Sequence, residues 1–360
     1  MAIESEPQSA AEDFSQVELA QALRNHGFPL ESLRYDITPL GLHYLLIHFD
    51  IPYVDVSGWR LEVGGAVSNP LSLSLEELKE RPKASIAVTL ECAGNGRARL
   101  APRPVSQPWI EEAIGHAEWT GTPLAPVLEE AGIEDGAVEV LFTGLDRGVQ
   151  DDVEHAYERS LPLDEALRPE MLLAYEVNGQ PLPPQHGFPL RLIVPGWYGM
   201  THVKWLERIT VLTEPFEGYQ QTKQYRTKQS ADELGEPVTR MLPRSMMIPP
   251  GIPDFPERRR FLDAGPCLLE GRAWSGWGPI ERVEVSTDDG ETWADAELDE
   301  PVGEFGWRRW TFQWDDAEPG EHMLLSRATD GAGNAQPDEG DWNYGGYVNN
   351  GVQRVPVTVR

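Results

Sequence analysis

The chain has 360 residues, 40% of them hydrophobic, so it is long enough for two domains with sizeable cores. Its formal net charge of −29 excludes nucleic acid and anionic membrane surfaces as expected partners, because an acidic surface repels both. With only two cysteines, it is not a small scaffold built on several disulfides.

The basic side chains are almost all arginines, and the only lysines are Lys79, Lys83, Lys204, Lys223 and Lys228. An acidic chain with little lysine is typical of adaptation to high salt, because carboxylates hold hydration while salt screens their repulsion. A halophilic protein is therefore the favoured interpretation of the charge, and an acidic binding surface is the alternative.

The N-terminal sequence MAIESEPQSAAEDF is acidic and polar, and it contains no basic region or apolar run that would predict a signal peptide. No apolar stretch in the chain approaches the roughly 18 residues that are needed to span a bilayer. We therefore expect a soluble cytoplasmic protein.

The first 36 residues predict an N-terminal extension with a short helix at residues 17–24. Beyond it, β-rich apolar runs alternate with short helical patterns, so residues 37–213 predict a mixed α+β domain. The predicted helices cover residues 75–79, 124–131 and 163–167, and the predicted strands cover residues 59–63, 86–90, 138–142, 172–177, 191–194 and 209–212.

Residues 214–260 are polar and rich in proline, with little periodicity, and they predict a long linker. Residues 261–360 change to short alternating runs separated by turn signals such as Asp289-Gly290, which predicts an antiparallel β-sandwich of the immunoglobulin type. Its predicted strands cover residues 267–273, 281–286, 307–314, 322–329 and 352–359.

A turn with a lone cysteine follows the predicted strand at residues 86–90. Its sequence, ECAGNGR, begins at Glu91 and places Cys92 ahead of two glycines and Arg97. Glycines let a backbone approach a bulky ligand, and a nearby cation favours the thiolate, which binds metals or acts as a nucleophile. Cysteine is also often buried for structural reasons, so the turn alone leaves a metal ligand, a nucleophile and a core residue open.

Four basic side chains are grouped in two later segments, HGFPLR and HVKWL. Lys204 lies among apolar residues in a chain that avoids lysine, and a cation in apolar surroundings needs an anionic partner. With His186, Arg191 and His202 it is a candidate phosphate-binding set. The alternative is a loop histidine and a strand-end arginine without such a role.

These segments resemble the sulfite oxidase family, which includes plant nitrate reductase. The matching motifs are CAGNGR, NGQPLP with HGFPLR, and HVKWL, and they occur in the family's order within a similarity that runs from about residue 37 to residue 360. The segments GRAWSG from Gly271 and STDDGETW from Ser286 resemble the family's dimerisation domain. The resemblance implies a molybdopterin-binding domain of α+β type, an immunoglobulin-like dimerisation domain and a homodimer.

The resemblance also implies roles for individual residues. Cys92 would coordinate molybdenum as a thiolate beside the dithiolene of the pterin, in a molybdenum–molybdopterin cofactor without haem. Arg97 and Trp109 would face the substrate, with Tyr225 as the active-site tyrosine and Tyr219 as the alternative, because of one insertion nearby. The residues implied to bind the cofactor are Tyr44, His48, Cys92, Asp146, His186, Arg191, His202, Val203 and Lys204.

Two positions depart from the family pattern. Alignment on His48 places Leu46 where a substrate-binding arginine belongs, and Gly345 falls at another arginine of the anion pocket. Each lost hydrogen bond to a charged substrate weakens binding by about 1.5–3 kcal/mol. An earlier Arg-Asn-His sequence at Arg24 lacks the family's spacing to the Trp59 segment, and we discount it.

The leading expectation is two-electron oxygen-atom transfer by the cofactor. Sulfite oxidation to sulfate is the first candidate, and reduction of an S-oxide or N-oxide is the alternative. Electrons would be exchanged with a separate protein such as a cytochrome, since the sequence has no C-x-x-C-H haem motif. A hydrolase that uses Cys92 and a histidine is a second class of enzyme, and a non-catalytic binding module built on the sandwich is a third possibility.

Overall fold

The computed structural model describes residues 14–360. Most of the acidic N-terminal sequence from which we expect no signal peptide falls in residues 1–13, outside the described residues. Over residues 14–360, no helix is both long enough and apolar enough to cross a membrane.

The α-helices between residues 14 and 360 are short. Helix α1 begins at a capping box, in which the Ser15 hydroxyl accepts from the Glu18 N–H and the Glu18 carboxylate accepts from the Ser15 N–H at 2.8 Å. Ser74 caps helix α2 in the same way. The helices are α1 Gln16–Arg24, α2 Leu75–Lys79, α3 Leu124–Ala131, α4 Leu163–Ala166 and α5 Tyr219–Thr222.

Two sheets form the first domain. Its strands are β1 Leu61–Gly65, β2 Leu71–Leu73, β3 Ala84–Glu91, β4 Ile114–Pro123, β5 Glu139–Gln150, β6 Val153–Pro162, β7 Leu172–Val177, β8 Gln180–Pro181, β9 Arg191–Ile193 and β10 Leu206–Leu212. One sheet has the order β2-β1-β10-β5-β6, and the other has the order β3-β4-β7-β8 with β9 also paired to β7. Only β1 and β10 run parallel in the first sheet, as expected for a mixed α+β domain.

Helices α2, α3 and α4 pack against strands of these sheets. Helix α3 buries Leu124, Val127 and Leu128, whose spacing places them on one helical face. They join a core that includes Phe142 and Leu192, one from each sheet. The predicted α+β class of the first domain is therefore confirmed.

Residues 214–260 contain more regular structure than the predicted linker. They hold α5 and the strands β11 Arg226–Thr227, β12 Glu236–Pro237, β13 Arg244–Met247 and β14 Ile252–Pro253. Strand β13 is fully buried and belongs to a sheet of the second domain. Sequence periodicity missed it because a four-residue strand buried on both faces shows no alternation.

Two packed sheets form the second domain. Its further strands are β15 Arg260–Leu262, β16 Gly265–Trp274, β17 Ile280–Ser286, β18 Ala294–Asp295, β19 Glu297–Leu298, β20 Arg308–Ala317, β21 Gly320–Asp330 and β22 Gln353–Val359. The sheet orders are β13-β16-β20-β19 and β14-β15-β22-β21-β17-β18, with a shared core that includes Leu269, Trp310 and Leu324. The predicted immunoglobulin-like sandwich is confirmed.

The segment before residue 37 is packed against both domains. Phe28 and Leu33 are fully buried in the core of the first domain. From the second domain, Arg272 donates to the Leu33 carbonyl at 2.8 Å and pairs with Asp36 at 2.9 Å. These contacts fix the segment that carries helix α1.

Candidate active site

Cys92 lies in the turn after strand β3 and borders two adjoining spaces. The space that also contacts Arg191 and Lys204, here called the inner cavity, has a volume of about 640 Å3. The space that also contacts Arg97, here called the outer cavity, has a volume of about 890 Å3. Both volumes include space that is open to solvent.

The turn of Cys92 is anchored by the residue before it. The buried carboxylate of Glu91 accepts hydrogen bonds from Asn95, Arg244 and Trp274, each at 2.9 Å. Arg244 and Trp274 belong to the second domain, so both domains fix the position of the thiol. These three hydrogen bonds, of which the one from Arg244 is also an ion pair, satisfy a charge that would be costly to bury alone.

The thiol itself is only 7% exposed. Burial raises the pKa of Cys92, although the charge of Arg97 opposes that rise. The expected preference for thiolate from a nearby cation is therefore outweighed by burial. A thiol of this kind loses its proton when a metal binds, because the metal replaces the proton as the partner of the sulfur.

Two cations from the HGFPLR and HVKWL segments meet at the inner cavity. Arg191 lies 4.8 Å from the centre of the Trp119 ring, and burial lowers its pKa to about 10. The ammonium of Lys204 donates to the carbonyls of Leu46 at 2.8 Å and Gln185 at 3.2 Å. Burial, with the charge of Arg191, lowers the pKa of Lys204 as well. Both cations are therefore poorly compensated and favour an anionic ligand.

Asp146 lies at the bulge of strand β5, beside these cations. It is 4% exposed, and its Oδ1 has no hydrogen-bond partner within residues 14–360. Burial raises the pKa of its carboxyl, and the charge of Lys204 counteracts only part of this effect. A buried carboxyl with a free oxygen is suited to a polar, uncharged ligand group.

Histidines complete the wall of the inner cavity. Burial lowers the pKa of His43 to about 4, of His186 to about 2 and of His202 to about 3. In His202, Nδ1 accepts from the Val194 N–H at 3.1 Å and Nε2 lies 3.2 Å from the Trp197 carbonyl. His202 is therefore engaged by backbone, whereas Nε2 of His43 has no partner within residues 14–360.

Of the remaining residues predicted to bind the cofactor, two line the inner cavity and one does not. Tyr44 and His48 line the inner cavity. Val203 lines neither cavity. It is fully buried, and its carbonyl accepts from the Leu192 N–H at 2.9 Å. Its side chain therefore packs in the core.

Of the two candidate tyrosines, Tyr225 lies at the site. It lines both cavities together with Cys92 and His48, and it is 7% exposed. Tyr219 lines neither cavity; it stacks on His155 at 4.6 Å and hydrogen-bonds Asp151. The geometry therefore favours Tyr225 over Tyr219.

Arg97 and Trp109 line the outer cavity, as the resemblance implies. Arg97 donates from Nε to the Gly345 carbonyl at 2.9 Å and from Nη1 to the Gln107 carbonyl at 3.1 Å. A Cβ added at Gly345 would lie 2.4 Å from the Tyr347 ring, so a side chain at Gly345 requires that ring to move. The absence of a side chain at Gly345 thus leaves room for the Tyr347 ring, which lines this part of the outer cavity.

The outer cavity is positively charged in an otherwise acidic protein. Among residues 14–360, its lining includes the two cations Arg24 and Arg97 and no aspartate or glutamate. Arg24, which was discounted on spacing, lines the outer cavity, and so does Tyr347 from the second domain, for which the sequence holds no signal. His43 and Tyr157, at the inner cavity, were also missed from the sequence.

Comparison with known proteins identifies the family of the chain. A family model described as the oxidoreductase molybdopterin binding domain matches residues 48–220, and one described as the Mo-co oxidoreductase dimerisation domain matches residues 256–360. Mitochondrial sulfite oxidase of Mus musculus is 37% identical over 339 residues. The chain belongs to the sulfite oxidase family of molybdopterin oxidoreductases.

The extent of similarity differs among members of the sulfite oxidase family. The alignment with the mouse enzyme covers 90% of this chain and 62% of that protein. NADH nitrate reductase 1 of Arabidopsis thaliana is 34% identical over 366 positions, covering 94% of this chain and 39% of that protein. The crystal structure of the sulfane dehydrogenase SoxCD from Paracoccus pantotrophus matches with a TM-score of 0.80 and 27% identity, over 97% of this chain and 88% of that chain.

The inner cavity fits the cofactor of this family. Three residues of its lining carry a buried polar atom without a partner within residues 14–360, namely Nε2 of His43, Oδ1 of Asp146 and Nε of Arg191. Such atoms are costly unless a ligand satisfies them. The underpaired Arg191 and Lys204 suit the pterin phosphate, and the thiol of Cys92 suits a soft metal bond.

Proposed function

We propose that the protein is a molybdenum-cofactor oxidoreductase that oxidises sulfite to sulfate. The observation that carries the proposal is the outer cavity next to Cys92, which has two arginines and no carboxylate among its described lining residues. In a chain with a net charge of −29, such a local excess of positive charge favours a small oxyanion.

The residues of the inner cavity would hold the cofactor, which supplies two-electron oxygen-atom transfer when bound. Arg191 and Lys204 would bind its phosphate, and Asp146 would hydrogen-bond the pterin. Cys92 would give up its proton and bind the metal through sulfur. Trp109 and Tyr225, both buried, would keep bulk water from the substrate.

The residues of the outer cavity would orient the substrate. The Arg97 side chain is held by two carbonyls and by the Tyr347 ring at 5.1 Å, so it presents its charge without rearrangement. In the overall reaction, sulfite and water give sulfate, two protons and two electrons. The electrons would leave on a separate one-electron carrier protein, such as a cytochrome.

A second candidate is reduction of an S-oxide or N-oxide. Leu46 lines both cavities and places an apolar side chain beside Cys92, which suits an uncharged substrate. The relatives include proteins named as nitrate reductase and sulfane dehydrogenase, so membership of the family leaves the substrate open.

Sulfite-dependent reduction of ferricyanide, compared with dye-coupled reduction of dimethyl sulfoxide and trimethylamine N-oxide, separates the two candidates. We expect turnover in the sulfite assay by cofactor-loaded enzyme. If the enzyme turned over only the S-oxide or the N-oxide and not sulfite, the second candidate would be the function of the protein.

We further propose a homodimer formed through the second domain, consistent with its match to a dimerisation domain. The acidic composition supports adaptation to high salt, where screening reduces repulsion between two chains of like charge. Light scattering in molar salt should give twice the mass of the 40.2 kDa chain, and a monomer there would contradict the proposal.

A further inference from the structure

We propose that Arg24, at the end of helix α1, is the substrate-binding cation that compensates for the leucine at position 46. The inference rests on the proposed function, in that the outer cavity is taken as the substrate site. It assigns to that cavity a small oxyanion held between Arg24 and Arg97.

The backbone brings Arg24 next to Leu46. His26 and Leu45 exchange two hydrogen bonds, with N···O distances of 3.2 Å and 2.9 Å. The Asn25 side-chain oxygen accepts from the Ile47 N–H at 2.7 Å. Residues 24–26 thus run antiparallel to residues 45–47, and the cation lies beside the position where the family arginine is missing.

Helix α1 is itself fixed to the wall of the outer cavity. The Asn25 amide donates to Gln107 at 2.9 Å, and Gln107 lines that cavity. At the other end of the helix, Glu18 forms an ion pair with Arg103. Anchors at both ends hold the helix in place, so that Gln21 and Arg24, one turn apart, both line the cavity.

The charge of Arg24 is available to a ligand. Within residues 14–360, no carboxylate lies within ion-pair distance of its guanidinium. Its field reaches the site: burial lowers the pKa of His48 to about 4, and the charge of Arg24 is one of the further causes of that lowering. An arginine in the last turn also favours the helix dipole, and this structural role is the alternative that a test must separate.

The test compares Arg24→Gln and Arg24→Lys with a matched control, Arg34→Gln. Arg34 is an exposed arginine of the same N-terminal segment that lines neither cavity. The readouts are the Kd of sulfate measured by calorimetry on cofactor-loaded enzyme, the KM and kcat for sulfite, and the melting temperature.

We expect Arg24→Gln to raise the sulfate Kd and the sulfite KM about tenfold or more, as for loss of a hydrogen bond to a charged ligand. The kcat and melting temperature should stay close to those of the wild type, Arg24→Lys should recover part of the affinity, and Arg34→Gln should behave as the wild type.

Unchanged sulfate affinity in Arg24→Gln, or an equal loss in Arg34→Gln, would overturn the inference. A fall in melting temperature without a change in Kd would identify the structural role and also overturn it. If the wild type binds sulfate through Arg24 but does not oxidise sulfite, the inference stands and the proposed reaction fails.

Discussion

The inner and outer cavities share Cys92 but are assembled differently. The cations of the inner cavity come from one stretch of the first domain, where Arg191 and Lys204 are 13 positions apart in the chain. The outer cavity combines Arg24 from helix α1, Arg97 from the cysteine turn and Tyr347 from the second domain. The proposed cofactor site is thus built from local motifs, whereas the proposed substrate site depends on contacts between distant segments.

The two cavities also differ in how their cations are held. Arg191 and Lys204 are buried, and burial lowers the pKa of each. Arg97 is hydrogen-bonded to two carbonyls, and Arg24 is exposed at the outer cavity. Permanent occupation by an anion suits the inner pair, while exchange of a small anion suits the outer pair.

The largest effect should come from the residue that the cavities share. Cys92→Ser should lower turnover at least about 100-fold, because loss of a metal ligand exceeds the usual effect of its supporting residues. Steady-state assays of sulfite-dependent ferricyanide reduction measure it. Cys267→Ser, in the second domain, is the matched control and should retain activity. Wild-type turnover in Cys92→Ser would show that the residue shared by the two cavities is not needed for the reaction.

The next largest effect should come from Glu91, which anchors the turn of Cys92. Glu91→Gln leaves Arg244 without its buried counter-charge, and we expect a loss of about 3–5 kcal/mol in the free energy of unfolding. Glu130→Gln breaks an exposed pair with Arg81 and should cost about 0–1 kcal/mol. Denaturant titration measures both, and equal losses would show that Glu91 has no special structural role.

A substitution at the inner cavity alone should distinguish the roles of the two cavities. Lys204→Gln should lower cofactor affinity about tenfold or more, through loss of a charged hydrogen bond to phosphate. The enzyme that still holds cofactor should keep its substrate KM. Pterin fluorescence of denatured protein measures occupancy, with the exposed Lys79→Gln as control. A raised KM with full occupancy would assign Lys204 to the substrate instead.

The smallest effect concerns the helix that closes the outer cavity. Burial tends to raise the pKa of Glu18, but hydrogen bonds from Arg103 and Ser15 outweigh it and hold this pKa below 4.5. The stabilisation by the Glu18 carboxylate is therefore complete above pH 4.5 and is lost as pH falls through the lowered pKa.

Glu18→Gln should cost about 1.5 kcal/mol at neutral pH, as for loss of a hydrogen bond to a charged group, and this difference from the wild type should shrink at more acidic pH. Melting curves across that range measure it, and pterin content at neutral pH should not change. If the difference in stability between Glu18→Gln and the wild type grew on acidification, the pKa of Glu18 would be raised and not lowered by folding.

The motifs and the fold class could be predicted because each depends on neighbouring residues. The run of apolar residues before Cys92 predicted strand β3, and the turn signals of the C-terminal region predicted the sandwich. The predicted set of His186, Arg191, His202 and Lys204 lines one cavity, since a single chain segment carries all four residues there.

The rest depends on packing that no local pattern records. Arg24 was dismissed on sequence spacing, yet a backbone bridge between His26 and Leu45 brings it to the cavity. The pKa of Cys92 was misjudged because the effect of burial exceeds that of the adjacent Arg97. Strand β13 was missed because a four-residue strand that is buried on both faces shows no alternation.

The central claim is that the inner cavity binds a molybdopterin whose metal is held by Cys92. Its most direct test is metal and pterin analysis of the full chain after production in a host that makes the cofactor. We predict molybdenum and pterin in amounts equimolar with the chain, and loss of the molybdenum in Cys92→Ser. Folded wild-type protein that contains neither molybdenum nor pterin would contradict the account.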